Sequence, residues 1–576
     1  MQLSLWLCTL LSLCHLIWSV WTEFDLVRPR KGAWGSDWNV PYVKINPISN
    51  NGPNVSSYSS FGSSVAVIGD LDGNGVDDIA VGAIGEDIIF TNSTTTEIRA
   101  GAGGVYIMFM NSNGSVLNST HISSDINGGP SLKSDDKFGF CITALGDFDG
   151  DGIPDMAVGA PGVLIASVYV MYLNRDGTVR QYGLIRGKYV GVTVNGTAVT
   201  NSTNGFVNGP PIRYGSQFGY AIASMGDLDK DGVVDLAVSA LDISGGFSTV
   251  YILYMMSNST VKRYSQFGPG VNGGPEIDRS FSGFGSALLT MPDFDGDGVP
   301  ELVVGAKFLY DAGSENVRAG KAIFCFMHAN GTVKSSQAIG ELSLGVNQPI
   351  PNVANDQCGS ALAYIGDINR DNYRQRQPTK PAQPPRPSIP DFITGCPQSS
   401  TGNLGGRFFL MMLSGAGTLR GFTQIPADTD LQGQGGGHNS GPRVAPPLNR
   451  VDGFGESLAG YMDLDGNGLR EIIVGAPGDD ANGTLKDSGA VYIMFLRRRR
   501  HFYIPFDWVT YLVTILVPTC CCCASCISGV IYFFWYFRRK PDEVEIIVKK
   551  SGYEMAQERK RYQKASNQVY ADNYTA

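Results

Sequence analysis

The stretch "FGSSVAVIGDLDGNGVDDIAVGAIG", residues 61–85, combines a Phe-Gly start, an acidic loop and a Gly-Ala close. Apolar, β-branched runs stand before and after the loop, which is strand chemistry bounded by turn residues. The string returns as "FGFCITALGDFDGDGIPDMAVGAPG" at 138, "FGYAIASMGDLDKDGVVDLAVSALD" at 218 and "FGSALLTMPDFDGDGVPELVVGAKF" at 284. "CGSALAYIGDINRDNYR" begins at 358 and "FGESLAGYMDLDGNGLREIIVGAPG" at 454. A period of roughly 65 to 95 residues is the scale of a propeller blade with long loops.

A second signature follows each copy: "GGVYIMFM" at 103, "SVYVMYL" at 167, "TVYILYM" at 249, "KAIFCFM" at 321, "RFFLMML" at 407 and "AVYIMFL" at 490. Each unit thus supplies an inner strand, a second strand after the acidic loop and this third one. Turns such as "NSNGS" and "HANGT" then lead to a weaker fourth strand. The sixth unit lacks its fourth strand, because Leu496 runs straight into Arg497. The first unit has a surplus upstream, around residues 40–48, expected to complete the last blade and cover edges otherwise left open. The expected fold is an all-β propeller of six blades over residues 40–496, with seven blades as the alternative.

Between the first two strands sits D-x-[DN]-x-[DN]-G-x-x-[DE]. The five full copies are Asp70, Asp72, Asn74, Asp78; Asp147, Asp149, Asp151, Asp155; Asp227, Asp229, Asp231, Asp235; Asp293, Asp295, Asp297, Glu301; and Asp463, Asp465, Asn467, Glu471. Hard cations take several oxygen ligands, and alternate residues of a tight loop direct theirs inward. The backbone carbonyls of Val76, Ile153, Val233, Val299 and Leu469, at position seven, would complete each set. An EF-hand would need a bidentate Glu at position twelve, where these loops carry valine, and flanking helices instead of strands. The ninth-position acid is therefore expected to close each site around Ca²⁺.

Both ends of the chain are apolar. Residues 1–20 read as a secretory signal peptide. Residues 508–537 are long enough for a membrane-spanning helix and lead to a tail at 538–576. Basic residues flank that span on both sides, so the signal peptide sets the orientation, with the tail in the cytoplasm. Sequons at Asn54, Asn92, Asn113, Asn118, Asn195, Asn201, Asn258, Asn330 and Asn482 are glycosylation candidates in an extracellular or lumenal segment. Four of the eleven cysteines, Cys141, Cys325, Cys358 and Cys396, lie between signal and span, too few for a disulfide scaffold. A net charge of −9 argues against nucleic acid. His121, His328, His438 and His501 are scattered without metal or triad spacing, so no enzyme is expected.

Phe-Gly, the acidic loop and Gly-Ala-Pro in fixed order are the FG-GAP unit, and the segment 40–496 resembles the β-propeller of integrin α-chains and related FG-GAP proteins. The resemblance implies Ca²⁺ at the loop positions named above. Integrin α propellers have seven blades, and neither an inserted adhesion domain nor β-sandwich legs is evident here. What it implies functionally is a single-pass plasma-membrane receptor or adhesion protein binding an extracellular protein or glycan. A secretory-pathway membrane protein that assists glycoprotein maturation is the alternative. Strand connectivity puts the acidic loops and the third-to-fourth turns on one face, expected to sit near the bilayer. The opposite face, with its long variable loops, is expected to hold recognition. Tyr553, Tyr562, Tyr570 and Tyr574 of the tail could engage a cytoplasmic adaptor.

The fifth copy is interrupted. Asp367, Asn369 and Asp371 hold positions one, three and five, and a Pro-rich tract follows at 375–390. Removing the tract places Asp391 at position nine. Cys358 then stands where sibling units have Phe, and Cys396 where they have Ala, so a disulfide could pin the interrupted blade.

Overall fold

The computed structural model describes residues 42–496, except 92–95, 163–165, 191–192, 195–196, 199–207, 214, 243–247, 278–281, 310–318, 340–355, 369–388, 399–405, 427–451, 461–462, 482 and 484. The expected signal segment, membrane span and tail lie outside the described residues. So do most of the Pro-rich tract, Asn369, Asp371, Asn92, Asn195, Asn201 and Asn482. The chain divides into two units, Met1–Leu496 and Arg497–Ala576, and every described residue belongs to the first. Among the described residues no helix is long and apolar enough to cross a membrane.

Among the described residues, six four-stranded antiparallel sheets form the blades of a closed propeller, and the seven-blade alternative falls with that count. Blade 1 comprises Phe61–Gly69, Asp78–Ala83, Gly104–Met110 and Val116–Ser123. Blade 2 comprises Cys141–Gly146, Asp155–Ala160, Ser167–Leu173 and Val179–Arg186, and blade 3 Gln217–Gly226, Asp235–Leu241, Thr249–Met255 and Val261–Phe267. Blade 4 takes Phe284–Met291, Glu301–Ala306, Lys321–Met327 and Val333–Ile339, and blade 5 Ala361–Gly366, Asp391–Cys396, Arg407–Leu413 and Leu419–Pro426.

Blade 6 has Ser457–Gly460, Ile472–Ala476 and Ala490–Met494, and its fourth strand is Tyr42–Ile45 from the start of the fold. Tyr42 pairs with Met494 and Ile45 with Val491, so the ring is shut by strands some 450 residues apart. Lys44 adds an ion pair to Asp479 at 2.7 Å, and Tyr492 donates its hydroxyl to the same carboxylate at 2.8 Å.

The second and third strands of each blade are apolar along most of their length because neighbouring blades cover both faces. Buried side chains group into six clusters, one at each blade-to-blade interface. One of them joins Ile45, Ile473 and Ile493 of blade 6 to Phe61, Ile79 and Val81 of blade 1, so the seam is packed like the rest.

The Phe-Gly and Gly-Ala-Pro signatures acquire a physical meaning at these interfaces. The glycine after each Phe or Cys (Gly62, Gly139, Gly219, Gly285, Gly359, Gly455) has φ between 84° and 93°, a region closed to most side-chain-bearing residues. At five of the six interfaces its carbonyl then meets the Gly-Ala-Pro glycine of the preceding blade, and at the sixth Gly285 lies against Ser239, which stands in that place. A Cβ on Gly82 would lie 2.0 Å from the Gly139 carbonyl oxygen, and one on Gly475 would lie 2.0 Å from that of Gly62. Serine hydroxyls reinforce the contact: Ser64 donates to the Gly139 carbonyl and Ser457 to the Gly62 carbonyl, both at 2.7 Å. The motif is a blade-to-blade contact, repeated across the seam.

Blade 5 keeps the pattern despite its insertion. Ala361 pairs with Gly395 in the register its siblings use, and Cys358 and Cys396 form a disulfide. In blades 1, 3 and 4 the same places are occupied by the register partners Phe61 and Ala83, Phe218 and Ala240, and Phe284 and Ala306. The disulfide therefore replaces a Phe-on-Ala contact.

Candidate metal centre

Each acidic loop folds on its own backbone. The position-one aspartate accepts two N–H groups from the loop: Asp70 takes Gly73 and Gly75 at 2.8 and 2.9 Å, and Asp147 takes Gly150 and Gly152 at 2.7 and 2.8 Å. The position-five side chain accepts from the N–H of position seven, as Asn74 does from Val76 at 2.7 Å and Asp297 from Val299 at 2.9 Å. The position-seven side chains turn inward. Val76, Val299 and Leu469 are buried in the interface clusters, tying each loop to the core.

The ninth-position acid does more than close a site. Asp78 accepts from Leu71 N–H at 2.9 Å with one oxygen and from Met110 N–H at 2.9 Å with the other, linking its loop to the end of the third strand. Asp155, Asp235 and Asp391 make the same pair of contacts, with Phe148 and Leu173, Leu228 and Met255, and Ile368 and Leu413. Asp391 thus occupies the ninth position of blade 5 although the tract precedes it. Glu301 accepts from Met327 N–H and Glu471 from Leu464 N–H. One oxygen of each, Glu301 Oε1 and Glu471 Oε1, is buried without a hydrogen-bond partner.

These carboxyls are fully buried in a field of like charge, and desolvation holds them protonated well above the usual range. Asp155 and Asp235 are pushed up to about 6, Asp78 and Glu301 to about 7, and Glu471 to about 8. The backbone N–H donors pull in the other direction and do not cancel the burial.

Oxygens from Asp70, Asp72 and Asp78 lie within 4.8 Å of one another, as do those of Asp147, Asp149 and Asp155, of Asp227, Asp229 and Asp235, and of Asp463, Asp465 and Glu471. In blade 4 the convergent set is Asp293, Asp295 and Asp297, and the ninth-position Glu301 is not part of it. An all-oxygen donor set with orphaned buried carboxylate oxygens fits a hard divalent cation.

Sequence reasoning missed two features: the strut role of the ninth acid, and a basic partner for three of the loops. Arg180 pairs with Asp149 and, at 2.9 Å, with Asp151; Lys262 with Asp229 and Asp231, both at 3.0 Å; Lys334 with Asp295 at 2.8 Å and with Asp297. All three residues open the fourth strand, so the acidic loop and the third-to-fourth turn share a face, as connectivity predicts. The signal was present as "TVR", "TVK" and "TVK" after each turn.

The FG-GAP repeat model matches at 61–108, 142–179, 284–320 and 454–494. The chain carries FG-GAP repeats. It is 30% identical over 203 residues to integrin alpha-PS2 of Drosophila melanogaster, a match covering 35% of this chain and 12% of that protein. Against integrin alpha-5 of Xenopus laevis it is 32% identical over 197 residues, 33% of this chain and 16% of the relative. Integrin alpha-7 of Homo sapiens is 26% identical over 211 residues, 36% and 14%. The matched FG-GAP region therefore spans about an eighth to a sixth of each relative's length.

Proposed function

We propose that this chain is a single-pass cell-surface receptor of the adhesion kind, without enzymatic activity. Its FG-GAP propeller is pinned by Ca²⁺ in the acidic loops and binds an extracellular protein or glycan. The observation that carries the calcium reading is the recurrence of convergent carboxylates in register in five blades. The residues named in the loops hold the ion, and Asp367, Asn369, Asp371 and Asp391 are the ligand set of the fifth, interrupted copy. The ion supplies positive charge that lets buried carboxylates ionise. The integrin α-chains among its relatives support the adhesion reading.

Recognition is assigned to the face opposite the acidic loops. That face carries a hairpin, Ile88–Thr91 with Thr96–Arg99, inserted between the second and third strands of blade 1. Its cross-strand partners Ile89 and Ile98 are 62% and 57% exposed, an apolar pair on a projecting loop. The sequons, residues 1–20 and 508–537 complete the reading as a glycosylated, membrane-anchored surface protein.

The calcium reading is tested by thermal unfolding of the purified full-length chain with chelator and with added CaCl₂. A melting temperature that ignores calcium removes it. Surface biotinylation of cells expressing the chain separates a plasma-membrane receptor from a secretory-pathway protein. A glycan and protein array probed with the chain, before and after replacement of the hairpin at 88–99, tests the recognition face.

A further inference from the structure

The acidic loops are of two kinds, distinguished by position five and by the residue that opens the fourth strand. Blades 2, 3 and 4 have Asp151, Asp231 and Asp297 at position five, and Arg180, Lys262 and Lys334 bridge that carboxylate to the one at position three. Blade 5 follows the same rule in sequence, with Asp371 at position five and Arg420 after Leu419. Blades 1 and 6 instead have Asn74 and Asn467. The residue equivalent to the bridging cation is Leu117 in blade 1. In blade 6 the equivalent position precedes Tyr42 and lies outside the described residues.

The asparagines supply their own donors. Asn74 Nδ2 donates to the Met110 carbonyl at 3.2 Å and Asn467 Nδ2 to the Leu496 carbonyl at 2.7 Å, each at the end of the third strand. Among the described residues no basic side chain pairs with Asp70, Asp72, Asp463 or Asp465. Arg175 lies beside Gly73, and among the described residues it makes no ion pair with Asp70 or Asp72. Glu471 offers an oxygen within 4.8 Å of Asp463 and Asp465 oxygens, and its Oε1 is buried and unpartnered. Blades 3 and 4 also hold orphaned oxygens, Asp229 Oδ1 and Glu301 Oε1, but Lys262 and Lys334 bridge those loops; at the seam loop no basic side chain among the described residues pairs with Asp463 or Asp465.

We propose that Arg180, Lys262 and Lys334 are specificity-determining counter-cations: they neutralise three loops from within and leave the loops of blades 1 and 6 as the tight divalent-cation sites. This rests on the calcium reading above and adds where the ion acts. A tethered charge about 3 Å from two carboxylates must be displaced, or must repel an incoming dication, before those oxygens can coordinate it. Blades 1 and 6 are neighbours at the ring closure. Val76 and Leu464, one from each loop, lie in the same buried cluster as Ile45, and Asn467 holds Leu496 just beyond the strand that pairs with Tyr42–Ile45. Tight calcium binding is thereby placed on the two blades whose contact shuts the ring.

The test is calorimetric titration of the purified full-length chain with CaCl₂, alongside Lys334→Met and Lys334→Arg. In the wild type, the two seam loops fill first and the remaining loops at least about tenfold more weakly. Lys334→Met moves one weak site into the tight class, and Lys334→Arg titrates like the wild type. The reverse conversion, Asn74→Asp with Leu117→Lys, moves one tight site into the weak class. Hydrogen exchange gives an independent readout: Tyr42–Ile45 and Ala490–Met494 stay protected while chelator empties the weak class, and their exchange rises only at the higher chelator that empties the tight class. Equal affinity at all sites, or a Lys334→Met isotherm identical to wild type, overturns this proposal while leaving the calcium reading standing. Absence of heat in every form overturns both.

Discussion

Asp78, Asp155, Asp235, Glu301 and Glu471 combine two demands that conflict at neutral pH. Each must accept backbone N–H groups to fasten its loop, and each does so fully buried beside other carboxylates. Their pKa values, raised to between about 6 and about 8, make the metal-free native state bind protons that the unfolded chain has already released above about pH 4. The unfolded state then holds fewer protons, so the slope of stability with pH is negative. The stabilisation is complete below about pH 4 and is lost as pH rises through 6 to 8. In chelator, the melting temperature should therefore fall between pH 5 and pH 8. Added calcium should flatten that fall, since a divalent charge replaces the proton. Circular dichroism melts at a series of pH values, with and without calcium, measure both slopes. A flat metal-free profile would show that these carboxyls are ionised at little cost.

Within a single blade, much was legible from the chain because the repeat compares itself with five siblings. The strands, their order and the acidic positions follow from alternation and register, and the N-terminal strand follows from counting one surplus and one deficit. The carboxylates' second allegiance was not legible. Whether Asp78 faces an ion or Leu71 N–H depends on how far the third strand's end lies from the loop, and spacing along the chain does not give that distance. Blade 5 illustrates both sides. Cys358 and Cys396 could be matched by alignment, while the reason for the match, a Phe-on-Ala contact in the siblings, appears only in the register. Their separation of 38 residues corresponds to roughly 4 kcal/mol of loop-closure entropy. Changing both to serine should remove about that much stability, whereas Cys358→Phe with Cys396→Ala should recover part of it by restoring the sibling contact. Urea denaturation of the full chain in non-reducing buffer ranks the three forms. Equal midpoints would mean that the crosslink contributes nothing to holding this blade.

Across the whole molecule, the ring has six equivalent interfaces in packing but only five in chain connectivity. Blades 1 to 5 are each drawn from one continuous segment, whereas blade 6 waits for Tyr42–Ile45 from the other end of the fold. Contacts of such sequence separation carry the largest closure entropy and form late. Local opening should therefore concentrate at the seam even though its side chains are buried as deeply as elsewhere. Ile45 and Ile339 offer a matched comparison: both are buried isoleucines on fourth strands, 0% and 1% exposed, one in the seam blade and one in blade 4. Truncation of either to alanine should cost about 2–5 kcal/mol in global stability. Ile45→Ala alone should increase hydrogen exchange in Ala490–Met494 under native conditions, because that strand loses its only partner on one side when Tyr42–Ile45 lifts away. Ile339→Ala should leave exchange at the seam unchanged, since blade 4 is held to its own neighbours by the continuous chain. If both variants raised exchange uniformly around the ring, the propeller would be opening as a single cooperative unit, with no preferred point of parting.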